Sequence, residues 1–190
     1  MPIRATSKTD ESRRAGGLLR RFSRSERGVT VIEFAIVGPI FFAIIGATIE
    51  TALTFFAAYA LDTAVIDSSR SIKTGQPGFS HSASTYRTEL CSQLYGIFDC
   101  DEIRISVREI ADFRDFSATY PIDESGEWAF DQRYEGAAGG PIRGNTNVMV
   151  EAYYKWPTIF NIPGLHAGQT ADGKRLLAAA HAFKTEPFTP

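Results

Sequence analysis

Residues 29–49 read VTVIEFAIVGPIFFAIIGATI, an apolar stretch of 21 residues whose one charged residue is Glu33. At a rise of about 1.5 Å per residue, a helix of this length is about 30 Å long, which is the thickness of the hydrocarbon core of a bilayer. More apolar sequence, TALTFFAAYAL, follows Glu50. The stretch therefore predicts a membrane-spanning helix over residues 29–61.

Charge is divided unevenly along the chain. Residues 1–27 carry eight Lys or Arg and three Asp or Glu, a balance of +5, whereas the remaining residues carry 12 basic and 19 acidic side chains, a balance of −7. Basic flanks of a first span remain in the cytoplasm, so we expect residues 1–28 inside and residues 62–190 outside. Basic tails also bind nucleic acid or anionic lipid. Because these arginines adjoin a membrane span and no binding module accompanies them, we predict no nucleic-acid partner.

The junction between the basic segment and the helix reads RRFSRSERGVTVIEF over residues 20–34. This order, a cationic segment, then Gly28, then an apolar helix with Glu33 as its fifth residue, is typical of a prepilin-type leader cut between Gly28 and Val29. An ordinary signal peptide has an apolar region of roughly 7 to 15 residues before an A-x-A site. The motif at 58–60 follows a much longer apolar region, so we interpret it as helix interior. An uncleaved signal anchor remains the alternative.

Glu33 has two interpretations, because a carboxylate within hydrocarbon costs several kcal/mol unless it reaches the interface or finds a partner. In the first, the side chain extends to the cytoplasmic headgroups. In the second, cleavage frees an ammonium group on Val29, which a Glu33 carboxylate of a neighbouring copy or partner neutralises. That pairing would set the register between subunits.

These residues resemble a known family. GVTVIEFAIVGPIFF, residues 28–42, is similar to the N-terminus of TadE-like proteins, the minor pilin-like components of bacterial tight-adherence (Tad, or Flp) pili. A second block runs from residue 148 to the closing Glu-Pro-Phe and resembles the family's aromatic strand, Pro-rich connector and final small-residue strand. Phe34 is a departure, since major Flp pilins usually have Tyr after the Glu.

The resemblance implies a minor pilin or pseudopilin, a single-pass inner-membrane protein needed for pilus assembly and surface adherence. It implies an inner-membrane aspartyl prepilin peptidase that cuts after Gly28, with Val29, Glu33 and Phe34 completing the processing site. Its other expected partners are pilins or pseudopilins, the inner-membrane Tad assembly platform and the lipid bilayer. Two alternatives stay open: a TadF-type or TadG-type paralogue, and an uncleaved signal-anchored periplasmic binding domain.

Gly38 and Pro39 lie within the predicted span. Proline removes a backbone hydrogen bond and clashes with the preceding turn, so we expect a helix kink over residues 35–39. The kink is either part of the extraction of the helix from the bilayer or a tolerated transmembrane proline.

The sequence pattern of the part expected outside the membrane predicts an α+β fold. The first helix is expected to continue to Gly75 and Pro77, and a second helix to occupy residues 80–94, where apolar residues recur every four positions. Period-two patterns predict strands at 103–107 and 148–156, the first with one solvent-exposed face. The period of KRLLAAAHAFK, residues 174–184, fits a helix or a strand, and the resemblance favours a strand antiparallel to 148–156. The predicted fold is pilin-like: a long transmembrane helix that continues into a small extracytoplasmic domain with a second helix and an antiparallel sheet.

Cys91 and Cys100 are the only cysteines. Outside the cytoplasm we expect them to form a disulfide, with two free thiols as the alternative. A metal site is not expected, because zinc usually needs three or four protein ligands and the histidines at 81, 166 and 181 have no matching spacing.

Residues 112–147 are rich in Gly, Asp and aromatic residues, and we interpret the aromatics as core or loop anchors in preference to a partner surface. No P-loop, GxSxG, HExxH or dinucleotide motif is present. The acids Asp123, Glu124 and Glu127 fall in a loop where solvated charge is the default. We therefore predict no catalytic residue, no cofactor and no enzymatic activity.

Overall fold

The computed structural model describes residues 28–76, 82–115, 120–136, 139–159, 170 and 172–188. The basic leader over residues 1–27 lies outside the described residues, as do Pro77, His81, Phe116 and His166. The chain divides into two compact units at the Thr48–Ile49 boundary, and each is described by itself.

Helix α1 runs without interruption from Val29 to Lys73. Its residues up to Thr48 belong to the first unit and the remainder to the second. The helix ends as predicted at Gly75, whose φ of +63° is a left-handed conformation that glycine adopts without steric cost. The N–H groups of Thr74, Gly75 and Gln76 bond back to carbonyls of the last turn and so satisfy the helix end.

Helix α2 spans Ala83–Ser92, within the predicted range. Ser82 caps it, since its side chain accepts a hydrogen bond from the Thr85 N–H. Tyr86 and Leu90 are fully buried, as the spacing of apolar residues predicts.

Four strands form one sheet in the order β2-β1-β3-β4. Their bounds are β1 Arg104–Ile110, β2 Arg133–Glu135, β3 Asn147–Trp156 and β4 Arg175–Lys184. A single turn of 3-10 helix, Phe113–Asp115, follows β1. Strand β4 is antiparallel to β3, which confirms the strand interpretation of the alanine-rich run.

The α+β class is confirmed, but the sheet is mixed and not wholly antiparallel. Strand β2 pairs with β1 in parallel, with Val107 opposite Tyr134. Strand β2 was not predicted, because its three residues are too few to display a period of two.

One face of the sheet, the inner face, packs with α2 and with the α1 residues of the second unit. Its buried apolar side chains come from β1, β3 and β4: Ile105, Val107, Val148, Val150, Ala152, Tyr154, Leu177, Ala179 and Phe183. Helix α1 contributes Ala57, Leu61, Ala64, Val65 and Ile72, which recur at helical spacing. This contiguous cluster is the core of the second unit.

The opposite face, here called the outer face, is covered where the sequence predicted solvent. On β1 Ser106 is buried, and on β3 Glu151 and Lys155 are only 2% and 6% exposed. Residues 121–136 cover this face: the Lys155 ammonium lies 5.1 Å from the centroid of the Trp128 ring and donates to the Gly126 carbonyl at 2.6 Å. The expectation of a solvent-exposed face on β1 holds only in part. Ser106 is buried, whereas the Arg104 and Arg108 side chains remain partly exposed, with the Arg104 guanidinium 5.6 Å from the centroid of the Trp128 ring.

Glu151 is paired within the outer face. Its carboxylate accepts a hydrogen bond from the Tyr153 hydroxyl at 3.0 Å and lies 3.7 Å from the Nε of Arg108. These partners offset part of the cost of burying a charge.

The aromatic residues of 112–147 divide between the two roles weighed from the sequence. Trp128 and Phe130 cover the outer face, where Phe130 makes an edge contact with Tyr153 at 6.0 Å between centroids, and Tyr134 packs against the core. Phe113 and Tyr120 are instead exposed. The core interpretation therefore holds for three of the described aromatics and fails for two.

Candidate processing site and membrane helix

The predicted processing site lies where α1 begins. Val29 is the first residue of the helix and Gly28 directly precedes it. The first turn contains no acidic residue, so Glu33 is the first acid of the helix. Val29, Glu33 and Phe34 are all exposed in the structure. Four of the predicted site residues, Gly28, Val29, Glu33 and Phe34, therefore lie together at one accessible helix end.

Nothing in the described structure requires glycine at position 28. A Cβ atom built there would have no other atom within 4 Å, and the residue does not have a positive φ. Glycine is usually needed where the backbone is left-handed or crowded. Neither reason applies to Gly28 among the described residues.

Gly38 lies beside the ring of Phe34. A Cβ atom on Gly38 would lie 3.4 Å from two atoms of the Phe34 ring, one helical turn earlier. That distance is an ordinary van der Waals contact, so the Phe34 ring does not require glycine at position 38.

Pro39 lies inside α1, and the helix continues through it. Proline cannot donate the hydrogen bond that would reach the Ala35 carbonyl. The predicted kink at Gly38 and Pro39 remains a prediction.

The first unit presents an apolar surface around its whole circumference. Exposed large side chains occur on every side of the helix: Val31, Ile32, Phe34, Ile36, Val37, Ile40, Phe41, Phe42, Ile44 and Ile45. A helix that is apolar all round is typical of a membrane span. Among the described residues, α1 is the one helix long and apolar enough to cross a bilayer.

The second unit contains the cysteine pair. Cys91, on α2, and Cys100, shortly before β1, form a disulfide with their Cα atoms 6.0 Å apart. The loop between them brings Leu94 and Phe98 into the core, where the Phe98 ring contacts Tyr154 at 4.9 Å between centroids.

The described residues contain no group of three or more His, Cys, Asp or Glu side chains that could hold a metal ion. His181 lies on β4 with its ring 5.3 Å from that of Phe183. Asp123 accepts hydrogen bonds from Ser125 and Glu127, and the Ser125 bond is the main reason that the pKa of this carboxyl is below its usual value. A capped loop of this kind is a local turn and offers no paired acid and base.

A long apolar N-terminal helix joined to a small α+β unit fits the class of single-pass membrane proteins. The family model described as TadE-like protein matches residues 28–70. This match covers less than half of the chain and supports its assignment to the TadE-like family. The match begins at Gly28 and does not include the block after residue 148, whose resemblance stays a prediction. No curated protein and no solved structure matches the chain.

Proposed function

We propose that this protein is a minor pilin or pseudopilin that a prepilin peptidase cuts between Gly28 and Val29 before it acts in Tad/Flp pilus assembly. The observation that carries the proposal is the coincidence of two boundaries at a glycine. The family match begins at Gly28, the helix begins at the next residue, and nothing among the described residues requires glycine at this position. A protease that accepts only a small side chain before the scissile bond accounts for that residue type.

Glu33 supports the same proposal. Its side chain is exposed on a surface that is otherwise apolar, within the part of the helix expected to enter the membrane. A carboxylate there is costly without a counter-charge. The ammonium group created on Val29 by cleavage supplies one, and in an assembly it would come from a neighbouring subunit.

The proposed topology has the N-terminus in the cytoplasm and the second unit in the periplasm. The +5 balance of residues 1–27 favours this orientation under the positive-inside rule. The disulfide in the second unit fits the same side, because disulfides persist in oxidising compartments. In this arrangement the second unit is available to other pilus components and the helix to the assembly platform.

The test is mass spectrometry of the N-terminus of membrane-purified protein from cells with and without the prepilin peptidase. We expect a terminal peptide that begins at Val29 only when the peptidase is present. Gly28→Val should block the cut, whereas Thr48→Val, which introduces the same side chain within the helix and far from the cut, should leave it unchanged. Glu33→Gln should still be cut but should reduce pilus assembly, because the carboxylate acts after cleavage.

An N-terminus within residues 1–27 in cells that contain the peptidase would refute processing and would favour the uncleaved signal anchor. Normal cleavage with normal assembly in Glu33→Gln would refute the charge-pairing role alone. The two parts of the proposal are thus tested separately.

A further inference from the structure

Strand β4 is a long outer edge of the sheet. Its ten residues pair with β3 without interruption, from Lys184 opposite Asn147 to Arg175 opposite Trp156. The other edge strand, β2, has three residues, two of them charged. Natural proteins protect sheet edges by short strands, proline, bulges or charge. Strand β4 is not short and contains no proline and no bulge. Between Arg175 and Lys184, its one ionisable side chain is that of His181.

The hydrogen bonds identify the residues of β4 whose backbone N–H and C=O groups point away from β3. The Thr185 N–H bonds to the Thr146 carbonyl, so the Lys184–Asn147 pair lies between hydrogen-bonded positions and Lys184 directs its own N–H and C=O away from β3. By alternation the same holds for the even-numbered residues of the strand: Leu176, Ala178, Ala180 and Ala182. Among the described residues these outward groups have no backbone partner. The first outward backbone hydrogen bond lies just beyond the strand, where the Glu186 N–H donates to the Lys73 carbonyl.

A groove lies beside this edge, within the second unit. It has a volume of about 440 Å³, with one wall from α1, including Ile66, Arg70 and Lys73, and the other from β4, including His181 and Phe183. A strand added to β4 would direct alternate side chains into this groove and the others away from it. An edge strand beside a helix is the geometry in which extended peptides bind by strand addition.

Charge selects the occupant. The groove and the ends of β4 carry four permanent cations, and the two carboxylates of the groove belong to Asp67 and Glu186. Neither Arg70 nor Lys73 forms an ion pair within the part of the chain that the structure describes. A second copy paired through β4 would offer no carboxylate to these cations, because β4 contains no Asp or Glu. An extended segment with acidic side chains supplies one.

We propose that the β4 edge binds an extended, acidic segment of another protein by strand addition, with an acidic side chain of that segment directed at Arg70 and Lys73. This interaction surface does not depend on processing at Gly28. It would give the periplasmic unit its own means of recognising a partner, separate from the membrane helix.

The test uses the full chain in detergent and eight fluorescent decapeptides of alternating Thr and Val. Four contain one Glu at different positions, and four contain Lys in its place. We expect at least one Glu peptide to bind at least ten times more tightly than its Lys counterpart, by fluorescence anisotropy. On binding, amide hydrogen exchange should slow at Ala178, Ala180 and Ala182, the outward-facing donors.

Two pairs of variants test separately how backbone hydrogen bonding and charge contribute to peptide binding. Ala180→Pro removes an outward N–H that β3 does not use, so it should weaken binding at least ten-fold, whereas Ala180→Val keeps the N–H and should stay within two-fold. Arg70→Glu should reverse the preference between Glu and Lys peptides, and Arg70→Lys should preserve it. If Ala180→Pro does not fold, the Arg70 pair and the exchange measurement decide the question.

Equal binding of the Glu and Lys peptides, or binding that Ala180→Pro leaves intact, would overturn the proposal. So would a dimer of the full chain that Ala180→Pro disrupts, since the occupant of the edge would then be a second copy.

Discussion

Removing the Cys91–Cys100 bridge should measurably destabilise the second unit. The two cysteines are nine positions apart, so the bridge closes a loop of about ten residues in the unfolded chain. In the chain-entropy model, a closed loop of that size is worth about 2.7 kcal/mol at 25 °C. The loop also anchors Leu94 and Phe98 in the core, so its restraint acts on buried side chains.

The perturbation is the double variant Cys91→Ser/Cys100→Ser, compared with the parent protein in the same detergent. A loss of about 2.7 kcal/mol corresponds to a fall in Tm of about 8–11 °C for a unit of this size. Thermal unfolding followed by circular dichroism, with and without dithiothreitol, is the assay. The reductant should lower the Tm of the parent toward that of the variant and should leave the variant unchanged.

Tyr95 provides a matched control within the same loop. It is 90% exposed and has a φ of 51°, a left-handed conformation that suits asparagine better than a bulky residue. Tyr95→Asn should therefore keep the bridge and should not lower the Tm. If the parent, the double variant and the reduced parent all unfold at the same temperature, the loop-closure reasoning is refuted.

Two further predictions concern buried tyrosines. The hydroxyl groups of Ser68 and Tyr86 are bonded at 2.8 Å inside the core, so Tyr86→Phe and Ser68→Ala should each lower the free energy of unfolding by about 1 kcal/mol. Because both remove the same bond, the double variant should lose less than the sum in a urea double-mutant cycle, and strict additivity would contradict a direct interaction. Burial raises the pKa of Tyr86, Tyr134 and Tyr153 above the usual value near 10. Because the pKa is raised in the folded state, the stability from the protonated hydroxyl is complete below about pH 10 and is lost as the pH rises further. The Tm should therefore fall above that pH, and it should fall less steeply in Tyr153→Phe. A Tm independent of pH between 9 and 11.5 would contradict this.

Local features of the sequence were sufficient for the helices. Apolar length predicted the start of α1, Gly75 predicted its end, and the four-residue spacing around Tyr86 predicted α2. These signals are readable because the residues that determine a helix lie within a few positions of one another. The proposed processing site is equally local, which is why a continuous stretch could suggest both the cleavage position and the family.

Contacts distant in sequence were not readable in the same way. The alternation on β1 was correctly recognised as a strand, but its polar side chains were assigned to solvent because nothing nearby indicated a cover. That cover comes from Trp128 and Phe130, and the buried Glu151 is tolerated because Tyr153 and Arg108 meet it in the folded chain. The parallel pairing of β2 with β1 could not be predicted for the same reason, because it joins segments that are distant in sequence.

The sequence by itself determined the membrane helix, the charge asymmetry, the candidate cut at Gly28 and the α+β class, because each depends on composition or spacing along the chain. Only the tertiary structure decided that both faces of β3 are covered and that β4 is an outer edge beside a groove. The physical reason is that burial and strand neighbours depend on which distant segments meet, and hydrophobic pattern alone does not specify those meetings.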